Sequence, residues 1–462
     1  VYFVFKALKN GALMKTTAIL LAAGSGTRMK SDLPKVLHQI VGQPMVFYGL
    51  EAARQAGTET PVLVVGYGAE TVKRVVGQAA QYVLQAQQLG TGHAVMQAES
   101  LLKGKTDYVI VTYADMPLLR AETLKDLVET QQANQGPISM VTVIAQDPRG
   151  FGRIIRKPDG SVAAIVEEAA ATPDQLQVKE LNVGAYCFSA DWLWDALHRI
   201  PLSQKGEYYL TDTVELAVKS GLPVQAIVLD DMIETIGVNT RIHLSEAEAA
   251  MRQRINRAHM LAGVTMIDPA STYIEPGVEI APETTIWPNS YLHGKTSIGP
   301  GCTIGPNSII RDTQIAKNCK VLSSVLEGAV LEDGVDVGPF ARLRTGAHLC
   351  QGVHMGNFGE VKDSTLGPGV KMGHFSYIGN ATIGAETNIG AGTITCNYDG
   401  EKKHPTEIGE RAFIGSDTML VAPVKLGDGA RTGAGSVVTK NIPDDSLAVG
   451  APARVIRKLA RK

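Results

Sequence analysis

Ile274, Ile280, Ile286, Leu292, Ile298 and Ile304 fall six residues apart, and glycine often follows the apolar residue, as in "IGPGCTIGPNSI". The period returns at Leu366, Met372 and Ile378, and again at Ile408, Ile414, Leu420 and Leu426. Few backbones tolerate this spacing. An α-helix repeats every 3.6 residues and a half-buried strand every two. A parallel β-helix fits: each coil has three flat faces, one apolar side chain per face points inward, and small residues fill the corners. The spacing therefore predicts such a helix over residues 263–450. The repeat reads as broken twice, around "FARLRTGAHLCQGVHMGNFGEVK" and at "TCNYDGEKKHPTE", residues 395–407. Insertions in solenoids become loops, often on a binding face. Both stretches carry charges that a coil interior could not hold.

Residues 14–240 have another texture. "TAILLAAG", "TPVLVVGYG", "DYVIVTYAD", "ISMVTVIA", "LNVGAYCFS" and "PVQAIVLDD" read as strands. Helical segments such as "MVFYGLEAARQAG" and "AETLKDLVETQQANQG" lie between them. Strands apolar on both faces, alternating with helices, predict a largely parallel sheet covered on both sides. Ligands collect at the carboxyl ends of such strands. Residues 241–262 carry helical spacing without proline or glycine and read as one connecting helix; 451–462 form a basic tail. Residues 1–13 are expected to be a poorly ordered or non-native extension, with Met14 the expected start.

The chain has 462 residues, enough for two to four domains. Its 44% hydrophobic and 19% charged content suits a packed protein. A net charge of −2 gives no general attraction for nucleic acid. No apolar run reaches the ~18 residues of a membrane span, so no membrane insertion is expected. Cys187, Cys302, Cys319, Cys350 and Cys396 form no CxxC pair. That odd set predicts a reduced cytoplasmic protein rather than a disulfide scaffold or a zinc protein.

After the strand "TAILLAAG" comes a small-residue turn. Gly24 and Gly26 let backbone N–H groups approach a ligand closely, and Arg28 and Lys35 add two positive charges. A polyphosphate meets those needs. The stretch is neither a P-loop nor a dinucleotide fingerprint.

"LAAGSGTRMKSDLPK" (21–35) resembles the signature of sugar-1-phosphate nucleotidyltransferases. "QAQQLGTGHA", "YADMPL", "GFGRI", "IVEE", "LNVG", "GEYYLTD" and "GVN" follow in that fold's order. The repeat region carries "GPFARLR", "NFGEVK", "GHFSYIG", "NIGAGTITCNYDG" and "FIGSDTMLVAPV". From Met14 to about Val449 the chain resembles the bacterial bifunctional N-acetylglucosamine-1-phosphate uridylyltransferases/glucosamine-1-phosphate acetyltransferases. The resemblance implies an α/β nucleotidyltransferase domain, Rossmann-like with a mostly parallel sheet, then a left-handed parallel β-helix. It also implies a homotrimer, with acetyl sites in grooves between neighbouring helices.

The first implied reaction joins UTP and N-acetylglucosamine 1-phosphate. Leu21, Ala22, Ala23 and Gly24 would hold the uridine side, and Gln85, Gly90 and Thr91 would read the uracil. Tyr113 and Ala114 would line the nucleotide site, and Arg28 and Lys35 would neutralise phosphate oxygens. Asp115 and Asn239 would hold Mg²⁺, whose hard, oxygen-rich coordination suits them. Gly152, Glu167 and Asn182 would contact the sugar. On spacing alone, Asp115 reads equally as a turn or helix cap. Two departures stand out: Ala114 replaces the usual glycine, and "IVEEAAAT" lacks a lysine after the glutamate.

The second implied reaction moves acetyl from acetyl-CoA to the amine of glucosamine 1-phosphate. His374 matches the family's base, since an imidazole titrates near working pH, and Glu360 would orient it. Arg344 and Lys362 would grip the sugar phosphate, with Tyr377, Asn388 and Lys403 completing the acceptor site. Ala391, Asn397, Tyr398, Ser416 and Ala434 would contact CoA or the thioester. Cys396 is read as a small packing residue, not a nucleophile. Ala451 stands where some relatives carry a CoA-binding arginine, a place Arg454 could fill.

Overall fold

The computed structural model describes residues 14–148 and 150–460, with the backbone of Leu8–Lys9 and Ala12–Leu13, which pair antiparallel. The expectation for 1–13 otherwise lies outside the described residues. Two compact units divide the chain, Val1–Met251 and Arg252–Lys462. The division falls inside the connecting helix, Arg241–Leu261, and not at its ends.

The N-terminal unit is built on one sheet. Its strands run Val162–Val166, Arg153–Arg156, Glu180–Ser189, Tyr108–Tyr113, Thr16–Ala22, Val62–Val65 and Gln81–Leu84, with Ile138–Ile144 and Val224–Leu229 joined through Glu180–Ser189. From Tyr108–Tyr113 to Gln81–Leu84 all neighbours are parallel; Glu180–Ser189 runs antiparallel to its partners. Each of the six stretches read as a strand contains one. Side-chain alternation explains their apolar runs. Ala18, Leu20 and Ala22 enter one core cluster while Ile19 and Leu21 enter another. A strand covered on both faces has no polar face to show. Gln81–Leu84 and the Arg153–Arg156/Val162–Val166 hairpin were not read from sequence; their burial is only partial, so the apolar signal is weak.

The C-terminal unit is a left-handed parallel β-helix with three faces. The first face starts at Thr265–Met266, the second at Tyr273–Ile274 and the third at Glu279–Ile280. Every six-spaced residue named above is buried in one continuous core. Short hydroxyl residues turn the corners: Ser290 Oγ donates to Trp287 O at 2.7 Å and Thr296 Oγ1 to His293 O at 2.7 Å. Their polar atoms are thereby satisfied without water.

One expected break is absent. Residues 340–362 continue the coils, with Leu343, Leu349, Met355 and Val361 inside and strands at Arg342–Leu343, Ala347–Leu349, His354–Met355 and Gly359–Lys362. The six-residue spacing persists there although only Met355 of these four is followed by glycine, and the charges lie outside the core. The other break is real: residues between Ile394–Cys396 and Thr406–Ile408 form a hairpin closed at Tyr398 and Lys403. The basic tail is not a free end. Arg454–Lys458 returns antiparallel along Ser446–Val449 and closes the first face. At the other end, Asn256 Nδ2 donates to Pro269 O and Thr272 O at 2.9 and 3.0 Å, and the Arg252 guanidinium lies 4.4 Å from the Tyr273 ring centroid. Both ends of the solenoid core are thus capped.

The start of the connecting helix is tied within the N-terminal unit by a buried histidine. Arg241 Nη1 lies 3.2 Å from His38 Nδ1 and Arg241 Nε donates to Met29 O at 3.2 Å. Burial first, then the Arg241 charge, lowers the His38 pKa below the ordinary 6.5. The folded chain refuses a proton that the unfolded chain accepts, so stability is full above 6.5 and falls as pH drops below it. Urea unfolding of the full chain, followed by the fluorescence of Trp192 and Trp194, should show a midpoint that declines below that pH. In His38→Gln the decline should be shallower.

Candidate active sites

Three parallel strand ends create the first cleft. Thr16–Ala22 lies between Tyr108–Tyr113 and Val62–Val65, so Leu21 to Gly24 and Tyr113 to Asp115 emerge together. Ala114 N donates to Leu21 O at 3.0 Å and Tyr67 N to Ala23 O at 3.2 Å, fixing the backbone of the turn. Gly26 sits at φ +62, where a Cβ would lie 2.8 Å from Lys35 Cβ. Leu21, Ala22 and Ala23 are buried; Gly24 is exposed. Arg28 is exposed beside this turn. Ala114 is 1% exposed and belongs to the buried cluster that also holds Ala22, Leu37 and Met116.

Lys35 is the hinge of the charge pattern. Its ammonium pairs with Asp115 Oδ2 and donates to Asn239 Oδ1 at 3.0 Å. Val238 N donates to Asp115 O at 2.9 Å and so brings Asn239 beside a residue far away in sequence. A carboxylate and an amide oxygen thus converge on one cation. That hard, all-oxygen donor set fits a magnesium ion, which keeps most of its waters.

Gln85 is 4% exposed, and its Nε2 donates to Gly90 O at 3.0 Å and lies 3.1 Å from His93 Nδ1. Gly90 adopts φ +96, with its Cβ position 2.6 Å from Tyr208 O. Tyr208 N bonds Leu89 O and Gly92 N bonds Tyr208 O, both at 2.8 Å, while Thr91 Oγ1 accepts from Leu210 N at 3.0 Å. Opposite, Glu167 Oε1 accepts from Thr211 Oγ1 at 3.2 Å, and Asn182 N donates to Gly152 O at 2.8 Å. Asn182 Nδ2 donates to Tyr186 Oη at 2.7 Å. Burial first, then the carboxylates of Glu167 and Asp115, pushes the Tyr113 phenol far above its ordinary range. His93, Thr211 and Tyr186 were not singled out from sequence. Their contacts join distant segments, and only "GTGHA" and "GEYYLTD" placed His93 and Thr211 inside motifs.

The second site lies on the β-helix. Arg342, Glu360 and Tyr377 are successive rungs of the second face, and Arg344 Nη1 donates to Glu360 Oε1 at 2.9 Å. Lys362 projects from the same strand as Glu360. The inserted hairpin brings Lys403 against it. Asp399 holds that hairpin: it accepts from Glu401 N and Lys402 N at 2.8 and 2.7 Å and lies 2.6 Å from His404 Nε2. The Lys403 ammonium, through its contact and then its charge, lowers the Lys362 pKa, and Arg344 adds to the effect. Three cations crowd one patch.

His374 lies on the neighbouring edge. Lys371, Asn388, Phe413 and Arg431 are in register on the first face. Three residues further along each strand lie His374, Ala391, Ser416 and Ala434, which therefore stack along one edge. His374 is exposed, and among the described residues it makes no hydrogen bond to Glu360, whose carboxylate is held by Arg344. Asn388 lies on the first face and Tyr377 on the second, so this edge separates them. Asn397 Nδ2 donates to Asn380 Oδ1 at 2.7 Å, and Tyr398 is 61% exposed at the hairpin base. Arg454 is exposed and donates to Ala453 O at 3.0 Å.

Comparison with known proteins agrees with this division. The Nucleotidyl transferase family matches residues 17–250, and the Bacterial transferase hexapeptide family matches 277–312 and 405–440. The chain is 46% identical over 446 residues to "Bifunctional protein GlmU" of Streptococcus equi subsp. zooepidemicus, covering 96% of this chain and 97% of that one. The chain belongs to the GlmU family. The GlmU of Heliobacterium modesticaldum is also similar, 46% identical over 94% of this chain and 95% of its own length. As a GlmU-family member the chain is a bifunctional transferase, with a nucleotidyltransferase unit and a hexapeptide acyltransferase unit. No helix among the described residues is long and apolar enough to cross a membrane.

In this GlmU chain the clamp around Gly90 leaves no room for a side chain. Gly90→Ala should lower nucleotidyl transfer by about 100-fold, the order expected when a binding loop shifts by an ångström. Acyl transfer by the same preparation should be unchanged. Steady-state assays of both reactions on one sample check it.

Proposed function

We propose that the N-terminal unit transfers UMP from UTP to N-acetylglucosamine 1-phosphate, releasing pyrophosphate. In the same reading the C-terminal unit first makes that acceptor by acetylating glucosamine 1-phosphate with acetyl-CoA. The observation that carries this reading is the crowd of Arg344, Lys362 and Lys403 on the β-helix. Three cations gathered on one patch, with the Lys362 pKa lowered by its neighbours, fit a site built for a dianionic phosphate. A helix serving only a regulatory role would need no such site.

In nucleotidyl transfer the attacking sugar-phosphate oxygen is already anionic, so no general base is needed. The barrier lies in bringing anions together and in charge on the leaving pyrophosphate. Arg28 and Lys35 neutralise triphosphate oxygens. Asp115 and Asn239 hold Mg²⁺, which supplies further neutralisation when bound. Leu21 to Gly24, Tyr113 and Ala114 support the nucleotide, and Gln85, Gly90 and Thr91 select the uracil. With its amide N–H₂ engaged by Gly90 O, Gln85 keeps a carbonyl for the base. Glu167, Asn182 and Gly152 position the sugar, Glu167 steadied by Thr211 and Asn182 by Tyr186.

In acetyl transfer the acceptor amine must lose a proton as it attacks the thioester. His374 takes it, and the imidazole carries the charge. Arg344 and Lys362 hold the sugar phosphate, Lys403 closes over it, and Tyr377 and Asn388 contact the sugar. Glu360 acts by fixing Arg344. Ala391, Ser416 and Ala434 form the small-residue edge along which CoA lies, with Asn397 and Tyr398 at the hairpin base. The small side chains allow close approach.

That edge is open on one side in a single chain. Beside it Phe340, Phe358 and Phe375 are 61%, 58% and 55% exposed, and the rings of Phe340 and Phe358 stack at 5.4 Å. Phe340 and Phe358 adopt φ +61 and +57, a region that bulky residues avoid. Such a ladder fits burial against a neighbouring β-helix, and a homotrimer closes all three edges. The free thiols of all five cysteines suit a reducing cytoplasm.

A coupled assay from glucosamine 1-phosphate, acetyl-CoA, UTP and Mg²⁺ should yield UDP-N-acetylglucosamine. His374→Ala should lose acetyl transfer by roughly 100-fold or more yet convert added N-acetylglucosamine 1-phosphate normally. Asp115→Ala should show the reverse. No thiol release from acetyl-CoA by the unmodified protein would overturn the second half of the reading. Phe358→Asp should sediment as a monomer, retain uridylyl transfer and lose acetyl transfer; a monomer with full acetyl transfer would refute the shared site.

A further inference from the structure

We propose that Glu332, His348 and Cys350 form a binding site for a borderline-soft divalent cation of the zinc class, joining two successive coils of the β-helix. The site lies on the third face, away from the strands that carry Arg344, Glu360 and Tyr377.

Register brings the three residues together. Val330 pairs with His348 and Leu331 with Leu349. Leu331 and Leu349 point inward, 1% and 0% exposed. Their neighbours therefore point out: His348 and Cys350 project from one coil, and Glu332 from the coil before it. Glu332 N donates to Leu349 O at 2.9 Å, which sets Glu332 directly beside Cys350. One carboxylate oxygen, one imidazole nitrogen and one thiol sulfur all lie within 4.8 Å of each other. Among the described residues no other group of three or more histidine, cysteine and acidic side chains comes so close.

The donor set selects the cation. Magnesium and calcium want oxygen alone, whereas one nitrogen, one sulfur and one oxygen suit zinc, with water as a fourth ligand. Tetrahedral bonds near 2.0–2.3 Å place donors roughly 3.3–3.7 Å apart, which small side-chain rotations reach from the present spacing. Glu332 Oε1 lies 2.8 Å from His348 Nε2, so the two already face one point. Glu332 Oε2 accepts from Gln351 N at 2.9 Å, an outer hydrogen bond of the kind that orients metal-binding carboxylates.

The cluster is also open to solvent. The side chains of His348 and Glu332 are 40% and 42% exposed. Ala316 precedes Glu332 by one coil and Gly367 follows Cys350 by one, since Ile315 pairs with Leu331 and Leu349 with Leu366. Neither offers a side chain long enough to cover the site. A groove of about 490 Å³, lined by Gln314, Ala316, Glu332, Asp333 and Gln351 among others, leads to it. Binding releases the thiol proton to water as sulfur–metal coordination replaces the S–H bond, and no oxidant or reductant takes part.

The test uses the full-length, reduced, metal-stripped protein and Co²⁺ as the probe. Titration should raise a near-ultraviolet thiolate-to-cobalt band and visible ligand-field bands, both removed by Zn²⁺. Cys350→Ser should abolish the thiolate band, and Glu332→Gln and His348→Gln should each weaken Co²⁺ binding roughly 10-fold or more. Asp115→Ala and Cys396→Ser should keep the band, separating this site from the nucleotide cleft and from other thiols. Unaltered circular dichroism and acetyl transfer in the Glu332, His348 and Cys350 variants would exclude misfolding. Absence of the band in the unmodified protein, or its survival in Cys350→Ser, would overturn the proposal.

Discussion

Parallel, in-register stacking of coils is the constraint from which the C-terminal unit follows. Most coils contribute an inward Leu, Ile, Val or Met on each face, with Thr395, Thr432 and Ala448 taking that place near the C-terminal end, and backbone N–H groups bond the next coil's carbonyls. Burying one such side chain stabilises by about 1.5–3 kcal/mol, and a slip of one residue would turn every one of them outward. Register is therefore rigid, and rigidity has a chemical consequence. Residues roughly one coil apart in sequence become neighbours in space. Arg344 meets Glu360, His374 lines up with Ala391, Ser416 and Ala434, and Glu332 comes beside Cys350, all through the same ladder.

The N-terminal unit gathers its residues differently. Its parallel strands end together, and the turns that follow must leave the sheet at one edge. Gly26 and Gly90 let those turns pass close to their neighbours, since a Cβ there would meet Lys35 and Tyr208. Charge then accumulates where the strands stop. Asp115 and Asn239 face Lys35, and the charges of Glu167 and Asp115 both act on the Tyr113 phenol. In both units the supporting shell is made of backbone N–H groups and short polar side chains, such as Thr211, Tyr186 and Asp399. Such partners hold longer side chains in one rotamer and lower the cost of binding.

Much of this was legible. Two-sided apolar strands and the six-residue period describe burial, and burial is what periodicity reports. The failures have physical causes. The stretch 340–362 looked like an interruption because Arg344, Cys350 and Lys362 stand where glycine often follows the inward residue, yet Leu343, Leu349, Met355 and Val361 keep the inward rhythm. The tail reads only as basic because the side chains of Arg454–Lys458 are exposed, although its backbone pairs with Ser446–Val449. Side-chain polarity cannot reveal a strand that contributes only backbone bonds. Glu360 was expected beside His374, but strand register gives its carboxylate to Arg344.

The sequence by itself determined the architecture: an α/β unit, a connecting helix and a β-helix, because local spacing states which side chains are buried. It also singled out the turn of residues 21–35, where glycines and cations lie close along the chain. Tertiary structure alone decided which distant groups meet. Lys35 between Asp115 and Asn239, Lys403 against Lys362, and Glu332 with His348 and Cys350 are pairings set by strand order, a hairpin and coil register. Hydrogen bonds and charges act over a few ångströms of space, and distance along the chain carries no measure of that until the backbone has closed.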